Sequence, residues 1–217
     1  MLATVKISAV SSSAVSDELN HRILNQARTD FLIRGYSSVT MDAIASELGI
    51  SKKTLYQHFS SKDALIGDVI LGLSREMRAE ADVLLSNHQL NFAEKLRGFA
   101  KSLAQRWHTI TPHAVRDLKR FAPHLHALLH EVRQKDIPHL FGRFVEQGQL
   151  TGMVRDDLQP DLTIHFYLNA LQGLLQPNSL EQLKLTPTEV CTRAIDLFFG
   201  GLLTPAGFKE HEKLFPR

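Results

Sequence analysis

Apolar residues recur every three to four positions along most of the chain, a spacing typical of amphipathic helices. In the first such stretch, Asp17–Arg34, apolar side chains occupy every fourth position, and Gly35 follows as a helix-ending residue. The members of this stripe are Leu19, Ile23, Ala27 and Phe31. Beyond Asn87 no stretch alternates as a half-buried strand does. The pattern predicts an all-α fold.

Two short helices joined by a tight turn are predicted within the segment from Thr40 to Phe59. Thr40 is a side-chain cap for the first helix, whose apolar stripe contains Ile44 and Leu48. Gly49 supplies the left-handed residue that ends this helix and makes the turn. The apolar anchors of the second helix are Ile50, Leu55 and Phe59.

The rest of the chain is also predicted to be helical. A serine-capped junction at residues 60–63 starts a long helix that ends at about Ser86 and would connect the first three helices to the remainder. The last two helices each begin with a proline in or near the first turn. The later predicted helices run over Phe92–Ile110, Pro112 to about Ala122, His124 to about Gly148 with a kink at Pro138, Pro160–Gln176, and Pro187–Leu203. The tail from Thr204 to Arg217 is left without an assigned element.

The composition is that of an ordinary globular protein. With 217 residues, 43% hydrophobic and 22% charged, the chain can bury a core in one or two domains. No apolar run approaches the roughly 18–20 residues of a membrane span. Met1–Ser16 lack the features of a signal peptide, so a flexible arm is expected there. Cys191 is the single cysteine, which excludes a disulfide framework and agrees with a reducing cytoplasm.

The informative charge is local, because the net charge is only +2. From Ile50 to Lys62 there are three lysines and no acid. A helix-turn-helix whose second helix presents a polar, positive face has the size and charge for the major groove of DNA. An ordinary helical hairpin with a solvated face is the competing interpretation. An ordinary hairpin would require only the aliphatic positions. It would not require the small Ala45, the turn glycine Gly49 and the cationic face to fall in the same register.

This segment, with the helix before it and the lysine after it, resembles the DNA-binding domain of the TetR (tetracycline-repressor-like) family. The resemblance covers residues 17 to 66, and the remainder agrees with the family only in helical character and length. The residues that carry it are Ile23, Ala27, Phe31, Gly35, Tyr36, Thr40, Ile44, Ala45, Leu48, Gly49, Ile50, Ser51, Thr54, Leu55, Tyr56, His58, Phe59, Lys62 and Asp63.

The resemblance implies roles for individual residues of the motif. Phosphate contacts are implied for Thr40, Tyr56, His58 and Lys62, whose hydroxyl, imidazole and ammonium groups suit that task. Glycine is frequent in the family at the position of Lys53, so a charge contact is expected here instead of a close backbone approach. Base reading would fall to Ser51, Lys52, Lys53, Thr54 and Gln57.

The last two predicted helices, 160–176 and 187–203, are apolar nearly all round, so they must be covered on every side. One face can pack on its own domain, and the other then needs a second chain. A homodimer through a four-helix bundle is predicted, which would let two recognition helices read a near-palindromic operator in double-stranded DNA. The alternative is that both helices lie wholly inside a monomeric core.

A small-molecule site in the helical body is implied by the resemblance. The candidate residues are Trp107, His113, Arg116, Phe121, His124, His139, His165 and Asn169. Each could equally be a core or interface residue that is satisfied internally, and no pattern identifies a ligand. No metal site and no cofactor are predicted. His126 and His130 share a helical face, but no cysteine or clear carboxylate accompanies them.

The sequence contains no nucleophile elbow, glycine-rich phosphate loop or supported carboxylate pair, so an enzyme is not expected. The predicted function is a dimeric DNA-binding transcriptional repressor that a small-molecule ligand releases from its operator. The alternative is a constitutive or architectural DNA-binding protein whose body only dimerises. The predicted domains are an arm at 1–16, a DNA-binding head at 17–63, and a ligand-binding and dimerisation body at 64–217.

Overall fold

The computed structural model of the chain describes residues 4–109 and 111–214, and over these residues the fold is all-α, as predicted. The described helices are α1 (Thr4–Arg34), α2 (Met41–Glu47), α3 (Lys52–His58), α4 (Lys62–Ser86), α5 (Phe92–Thr109), α6 (Pro112–Phe121), α7 (Pro123–Leu150), α8 (Pro160–Leu174), α9 (Pro177–Leu183), α10 (Pro187–Leu202) and α11 (Pro205–Leu214). Extended pairing in the described ranges is limited to one isolated bridge between Val154 and Leu203.

The first helix is longer than its apolar stripe predicts. It begins at Thr4 and not at Asp17, so most of the segment expected to be a flexible arm continues the helix backwards. No proline or glycine occurs between these two positions, and therefore nothing in the backbone chemistry stops the helix there.

Two short helices were absent from the predicted set, α9 and α11. Both begin with a proline at the first helical position, which is the signal already used for α8 and α10. At the start of α11 the Thr204 Oγ1 accepts a hydrogen bond from the Gly207 amide at 3.1 Å, as a helix cap does. The tail left without an assigned element is therefore helical from Pro205 to Leu214.

Contacts divide the chain into two compact units. Unit 1 contains the residues up to Leu73 together with Thr109–Glu131, and unit 2 contains Ser74–His108 and the residues from Val132 onwards. The predicted boundary after residue 63 follows the DNA-binding motif alone, whereas the contacts also place α6 with that motif. The buried core of unit 1 includes Ile23, Phe31, Ile44, Leu55, Leu65 and Leu118.

A buried carboxylate explains why α6 belongs to unit 1. Asp117 accepts hydrogen bonds from the Ser37 amide at 2.6 Å and from the Ser37 hydroxyl at 2.9 Å. The neighbouring Gly35 ends α1 in the left-handed region, with φ of +84°. A Cβ atom on Gly35 would lie 2.8 Å from Asp117 Oδ2. The end of α1 and the middle of α6 therefore pack in direct contact.

Unit 2 has an aromatic core. The Phe99 and Phe144 rings stack with centroids 4.6 Å apart, and Phe198 lies 5.0 Å from Phe141 and 4.3 Å from Tyr167. These contacts connect α5, α7, α8 and α10. Each of the two late helices α8 and α10 therefore has an inner face that is packed within the unit.

Candidate nucleic-acid interface

The first helix of the motif is capped and anchored as its sequence predicts. Thr40 Oγ1 accepts a hydrogen bond from the Ala43 amide at 3.1 Å, which leaves the hydroxyl proton available for another acceptor. Met41, Ile44 and Ala45 are buried. The turn follows at Gly49, whose φ of +66° confirms the predicted left-handed residue. The Ile50 amide then donates to the Ala45 carbonyl at 2.9 Å and closes the turn.

The recognition helix α3 is fixed by its ends and by one buried side. Ser51 Oγ accepts from the Thr54 amide at 3.0 Å and caps the helix. Leu55 is fully buried, and Phe59, which follows the helix, is 5% exposed. One side of α3 is thereby held in the core, so the opposite side must face outwards.

The outward side of α3 carries most of the residues predicted to read bases. Tyr56 is 49% exposed. Thr54 is half-buried, and its hydroxyl lies 2.7 Å from the Ser51 hydroxyl. The remaining exposed members of this face are Ser51, Lys52, Lys53 and Gln57. We call Ser51, Lys52, Lys53, Tyr56 and Gln57 the polar face of α3.

Lys52 is paired across the motif. Its Nζ lies 2.5 Å from Oδ2 of Asp42 in α2, and both side chains are 62% exposed. The sequence does not reveal this pair, because ten positions separate the partners and the turn at Gly49 brings them together. The polar face of α3 therefore has a carboxylate at its edge, although α3 itself contains no acid.

His58 is positioned by Asn20, a residue outside the predicted DNA-binding set. Its Nδ1 lies 2.8 Å from Oδ1 of Asn20 in α1. This contact fixes the imidazole ring at the C-terminal end of α3, with the ring half-buried. Asn20 thus joins the first helix to the recognition helix, and its polar side chain on α1 is the only sign of this role in the sequence.

Lys62 lies beside Tyr36 at the start of α4. Its Nζ is 3.9 Å from the centre of the Tyr36 ring, a cation–π contact. Burial lowers the pKa of Lys62, while the neighbouring carboxylates of Asp63 and Asp117 act in the opposite direction. The ammonium is thus in a partly desolvated position, unlike the freely exposed Lys53.

Asp63 binds two groups at once. Its Oδ1 accepts a hydrogen bond from the Tyr36 hydroxyl at 2.5 Å, and its Oδ2 lies 2.9 Å from Nε2 of His124. Burial raises the pKa of Tyr36 to about 12, and the hydrogen bond to Asp63 adds to this shift. These contacts join the end of α1 and the starts of α4 and α7 within unit 1.

The predicted ligand residues are divided between the two units. His113, Arg116, Phe121 and His124 belong to unit 1, whereas His139, His165 and Asn169 belong to unit 2, and all seven are exposed. Phe121 is 52% exposed. Trp107 lies in α5, and its side chain falls outside the described residues. A role for any of these residues in ligand binding stays a prediction.

The pair His165 and Asn169 was expected to need buried polar partners, because α8 is otherwise apolar. The structure instead places both side chains at the surface of the chain, and Asn169 Nδ2 donates to the His165 carbonyl at 2.7 Å. That carbonyl is one turn earlier in the same helix, so the amide is satisfied locally.

The two late helices also expose large apolar side chains. Leu162 and Phe166 of α8 are 66% and 73% exposed, and Leu197 of α10 is 79% exposed. Gly200 and Gly201 are exposed too, and a Cβ atom at either position would meet nothing within 4 Å. The alternative that both helices lie wholly inside a monomeric core is therefore wrong. We call Leu162, Phe166, Leu197, Gly200 and Gly201 the apolar face of α8 and α10.

Known proteins resemble the chain at both levels, the motif and the fold. A family model described as bacterial regulatory proteins, tetR family, matches residues 23–69. The HTH-type transcriptional regulator YvaF of Bacillus subtilis is 27% identical over 185 residues, which cover 85% of this chain and 95% of YvaF. The HTH-type transcriptional repressor DhaR of Mycobacterium sp. is 25% identical over 159 residues, which cover 70% of this chain and 78% of DhaR.

The fold is that of a solved regulator. The regulatory protein TetR from Rhodobacter sphaeroides superposes with a TM-score of 0.61 at 19% identity, and the match covers 85% of this chain and 99% of that one. These similar proteins are regulators and not enzymes. In the described residues no helix is both long and apolar enough to cross a membrane.

Proposed function

We infer that this chain belongs to the TetR family of bacterial regulatory proteins and is a dimeric transcriptional repressor that binds operator DNA through α3. The observation that carries the proposal is the polar face of α3. It is exposed and cationic, and it is held outwards by the buried Leu55 on the opposite side. The repressor activity in the name of DhaR supports the direction of regulation.

The dimensions of α3 support its insertion into DNA. An α-helix with its side chains is about 10–12 Å across, and the major groove is about 12 Å wide. Gln57 carries an amide that pairs bidentately with adenine, and Lys52 and Lys53 can donate to guanine O6 or N7. Thr40, Tyr56, His58 and Lys62 then contact phosphates at the two ends of the motif, where they set its register.

The apolar face of α8 and α10 supports the dimer. Three large apolar side chains that are two-thirds or more exposed form a surface that water disfavours. A second copy of the chain would cover this face through a two-fold interface, as the sequence analysis proposes for residues 160–176 and 187–203. The exposed Gly200 and Gly201 would allow two backbones to approach closely.

Release from the operator is proposed to follow a population shift. Two spacings of the recognition helices exist in equilibrium, and a small molecule that binds the body favours the spacing that does not match successive major grooves. A tenfold loss of operator affinity requires only about 1.4 kcal/mol of differential binding. The expected location in a cytoplasm stays a prediction from the single cysteine.

The second candidate function is constitutive DNA binding without an effector. It is favoured by one observation, namely that the seven described candidate ligand residues are exposed. Selecting bound fragments from genomic DNA, followed by a screen for compounds that release the best fragment, separates the two functions. A compound that releases the dimer from its DNA fragment supports the repressor proposal. If no compound and no metabolite extract releases the protein from that fragment, the alternative is supported.

Two substitutions on the polar face of α3 test the DNA-binding assignment. Tyr56→Phe removes a phosphate donor and is expected to weaken binding to all operator variants alike. Gln57→Ala removes a base contact and is expected to change which base is preferred at one position, by about 1–3 kcal/mol. Binding should be measured over a set of single-base operator variants. The reverse pattern, with Tyr56→Phe changing base preference and Gln57→Ala acting uniformly, contradicts the assignment.

A further inference from the structure

Asp42 is the exception on a surface that is otherwise built to attract phosphates. Its carboxylate is 62% exposed and lies 2.5 Å from the ammonium of Lys52. From residue 50 to residue 62 the sequence contains three lysines and no acid, so the carboxylate beside Lys52 comes from α2. An acid beside a DNA-binding lysine could contribute to stability or could alter how the surface binds DNA.

Stability does not explain the position of Asp42. Ion pairs between exposed side chains contribute about 0–1 kcal/mol, because water screens them and both side chains lose conformational freedom. The start of α2 is already capped by Thr40. A carboxylate in the first turn adds only a small favourable interaction with the helix dipole.

The pair has a larger effect on the electrostatic field that DNA meets. Non-specific binding arises from lysines and arginines that neutralise phosphates and release counterions. A lysine that is already paired with a carboxylate neutralises a phosphate less effectively, and the carboxylate itself repels the backbone. Asp42 therefore removes Lys52 from the set of residues that bind any DNA sequence.

The same pair leaves Lys52 able to read a base. An ammonium has three N–H donors, and the contact with one Asp42 oxygen uses one of them. The other two remain available for the O6 and N7 acceptors of guanine. The pair also holds the long lysine side chain in one place. Contact with a base then costs less conformational entropy, because the side chain is already ordered.

We propose that Asp42 is a specificity-determining residue of the polar face of α3, and that it acts through Lys52 by suppressing phosphate binding in favour of base contact. The proposal rests on the proposed function, because it takes α3 as the DNA-binding element. Asp42 is a positioning residue in this account, and Lys52 makes the contact.

The chain offers a matched control in the same helix. Glu47 is an exposed acid at the end of α2, and its Oε2 accepts a hydrogen bond from the neutral amide of Gln26 at 3.2 Å. Glu47→Gln and Asp42→Asn each remove one negative charge from α2 and replace it with an amide. Asp42→Asn removes the ionic partner of Lys52, whereas Glu47→Gln changes the partner of a neutral amide.

The experiment measures the affinity of the full-length chain for its selected operator and for random-sequence duplex at several NaCl concentrations. We expect Asp42→Asn to raise the affinity for random duplex about threefold to tenfold at low salt. The slope of log affinity against log salt should steepen by about 0.9 for each bound chain, or about 1.8 for a dimer, as for one more neutralised phosphate per chain. The ratio of operator to random affinity should fall. Glu47→Gln should leave the slope unchanged.

A double substitution identifies Lys52 as the route. In a Lys52→Gln background, Asp42→Asn should no longer steepen the slope, because the lysine that it frees is absent. Equal steepening with and without Lys52 overturns the proposal, since the carboxylate then acts on DNA directly. A slope for Asp42→Asn equal to that of Glu47→Gln also overturns it. Asp42→Ser, which keeps a polar residue in the first turn of α2, replaces Asp42→Asn if that variant unfolds.

The proposed function can fail separately from this inference. A wild-type chain whose affinity for duplex DNA does not depend on salt contradicts DNA binding by α3, and the inference falls with it. A wild-type chain that binds duplex with a steep salt dependence, combined with an unchanged slope in Asp42→Asn, contradicts the inference alone.

Discussion

Two exposed surfaces of this chain have opposite chemistry. The polar face of α3 presents lysine, hydroxyl and amide groups that water solvates well, whereas the apolar face of α8 and α10 presents Leu162, Phe166 and Leu197. Exposure alone therefore does not indicate what a surface binds. A solvated cationic surface favours a charged partner whose affinity falls with salt, while an exposed apolar surface favours a partner that removes it from water.

Raising the salt concentration should weaken binding at the polar face of α3 and not at the apolar face of α8 and α10, and this is the largest difference expected. A dimer carries six lysines between residues 50 and 62, since each chain has three. Because Lys52 is paired with Asp42, four of these lysines remain to neutralise phosphates. We therefore expect DNA affinity to fall about 100-fold between 50 and 200 mM NaCl. Dimer affinity should stay constant or rise over the same range, because apolar burial does not weaken in salt. Fluorescence anisotropy and sedimentation measure the two quantities, and a dimer that dissociates in step with DNA release contradicts the comparison.

Charged residues introduced on the apolar face of α8 and α10 should prevent dimer formation. The double substitution Phe166→Glu and Leu197→Glu introduces two carboxylates that a dimer would bury, and we expect the dimer dissociation constant to rise more than about 100-fold, or 2.7 kcal/mol. Sedimentation velocity measures the change. Val83→Glu is the matched control, because Val83 is 65% exposed in α4 and lies outside this face. Equal loss of dimer in the control, or no loss in the double variant, contradicts the assignment.

The half-buried hydrogen bond between Tyr36 and Asp63 should affect stability and leave the polar face of α3 unchanged. Tyr36→Phe removes the hydroxyl that donates to Asp63, and the free energy of unfolding should fall by about 1–3 kcal/mol. Tyr56→Phe removes an exposed hydroxyl and should leave stability unchanged. Urea unfolding of both variants at pH 7 checks the difference.

The same tyrosine gives a pH signature. Its pKa is raised from 10.0 to about 12 in the folded chain, so the folded state holds this proton more tightly than the unfolded state does. The resulting stability is complete below pH 10 and is lost as the pH rises towards 12. Tyr36→Phe should lack that part of the alkaline loss, and an identical pH profile in the two proteins contradicts the assignment.

The smallest expected effect comes from one added methyl group on the apolar face. Within a single chain, a Cβ atom on Gly200 meets nothing within 4 Å, so Gly200→Ala should not disturb folding and should favour the helix slightly. Where two backbones approach closely, the same methyl group should weaken the dimer by less than about tenfold, or 1.4 kcal/mol. Sedimentation equilibrium beside thermal unfolding measures both. A dimer unaffected by Gly200→Ala places the close approach elsewhere.

The local parts of the fold were predictable from the sequence because their causes are local. The Thr40 cap, the left-handed Gly49 and the Ser51 cap each act within three or four residues, and the structure contains all three. The proline that starts α9 is an equally local signal, but no element was predicted between Gln176 and Pro187. The start of α1 lies earlier than predicted, because the apolar stripe ends near Asp17 while the helical backbone continues back to Thr4.

The pairings across helices could not be predicted. Asn20 meets His58 over 38 positions, and Ser37 meets Asp117 over 80 positions, so a single sequence gives no register for either contact. The ligand residues were chosen by type within apolar helices, and type does not determine which side of a helix faces inwards. Exposure of His165 and Asn169 follows from the packing of Tyr167 and Leu171 on the opposite side of α8.

The contact between Gly35 and Asp117 limits which amino acids this chain can carry at position 35. Both Gly35 and Gly49 have positive φ, but space around Gly49 is open, whereas any Cβ on Gly35 pushes Asp117 away from Ser37. In a saturation library, asparagine should survive at position 49, since it tolerates the left-handed region. Only glycine should survive at position 35, unless the same clone also carries a smaller residue in place of Asp117.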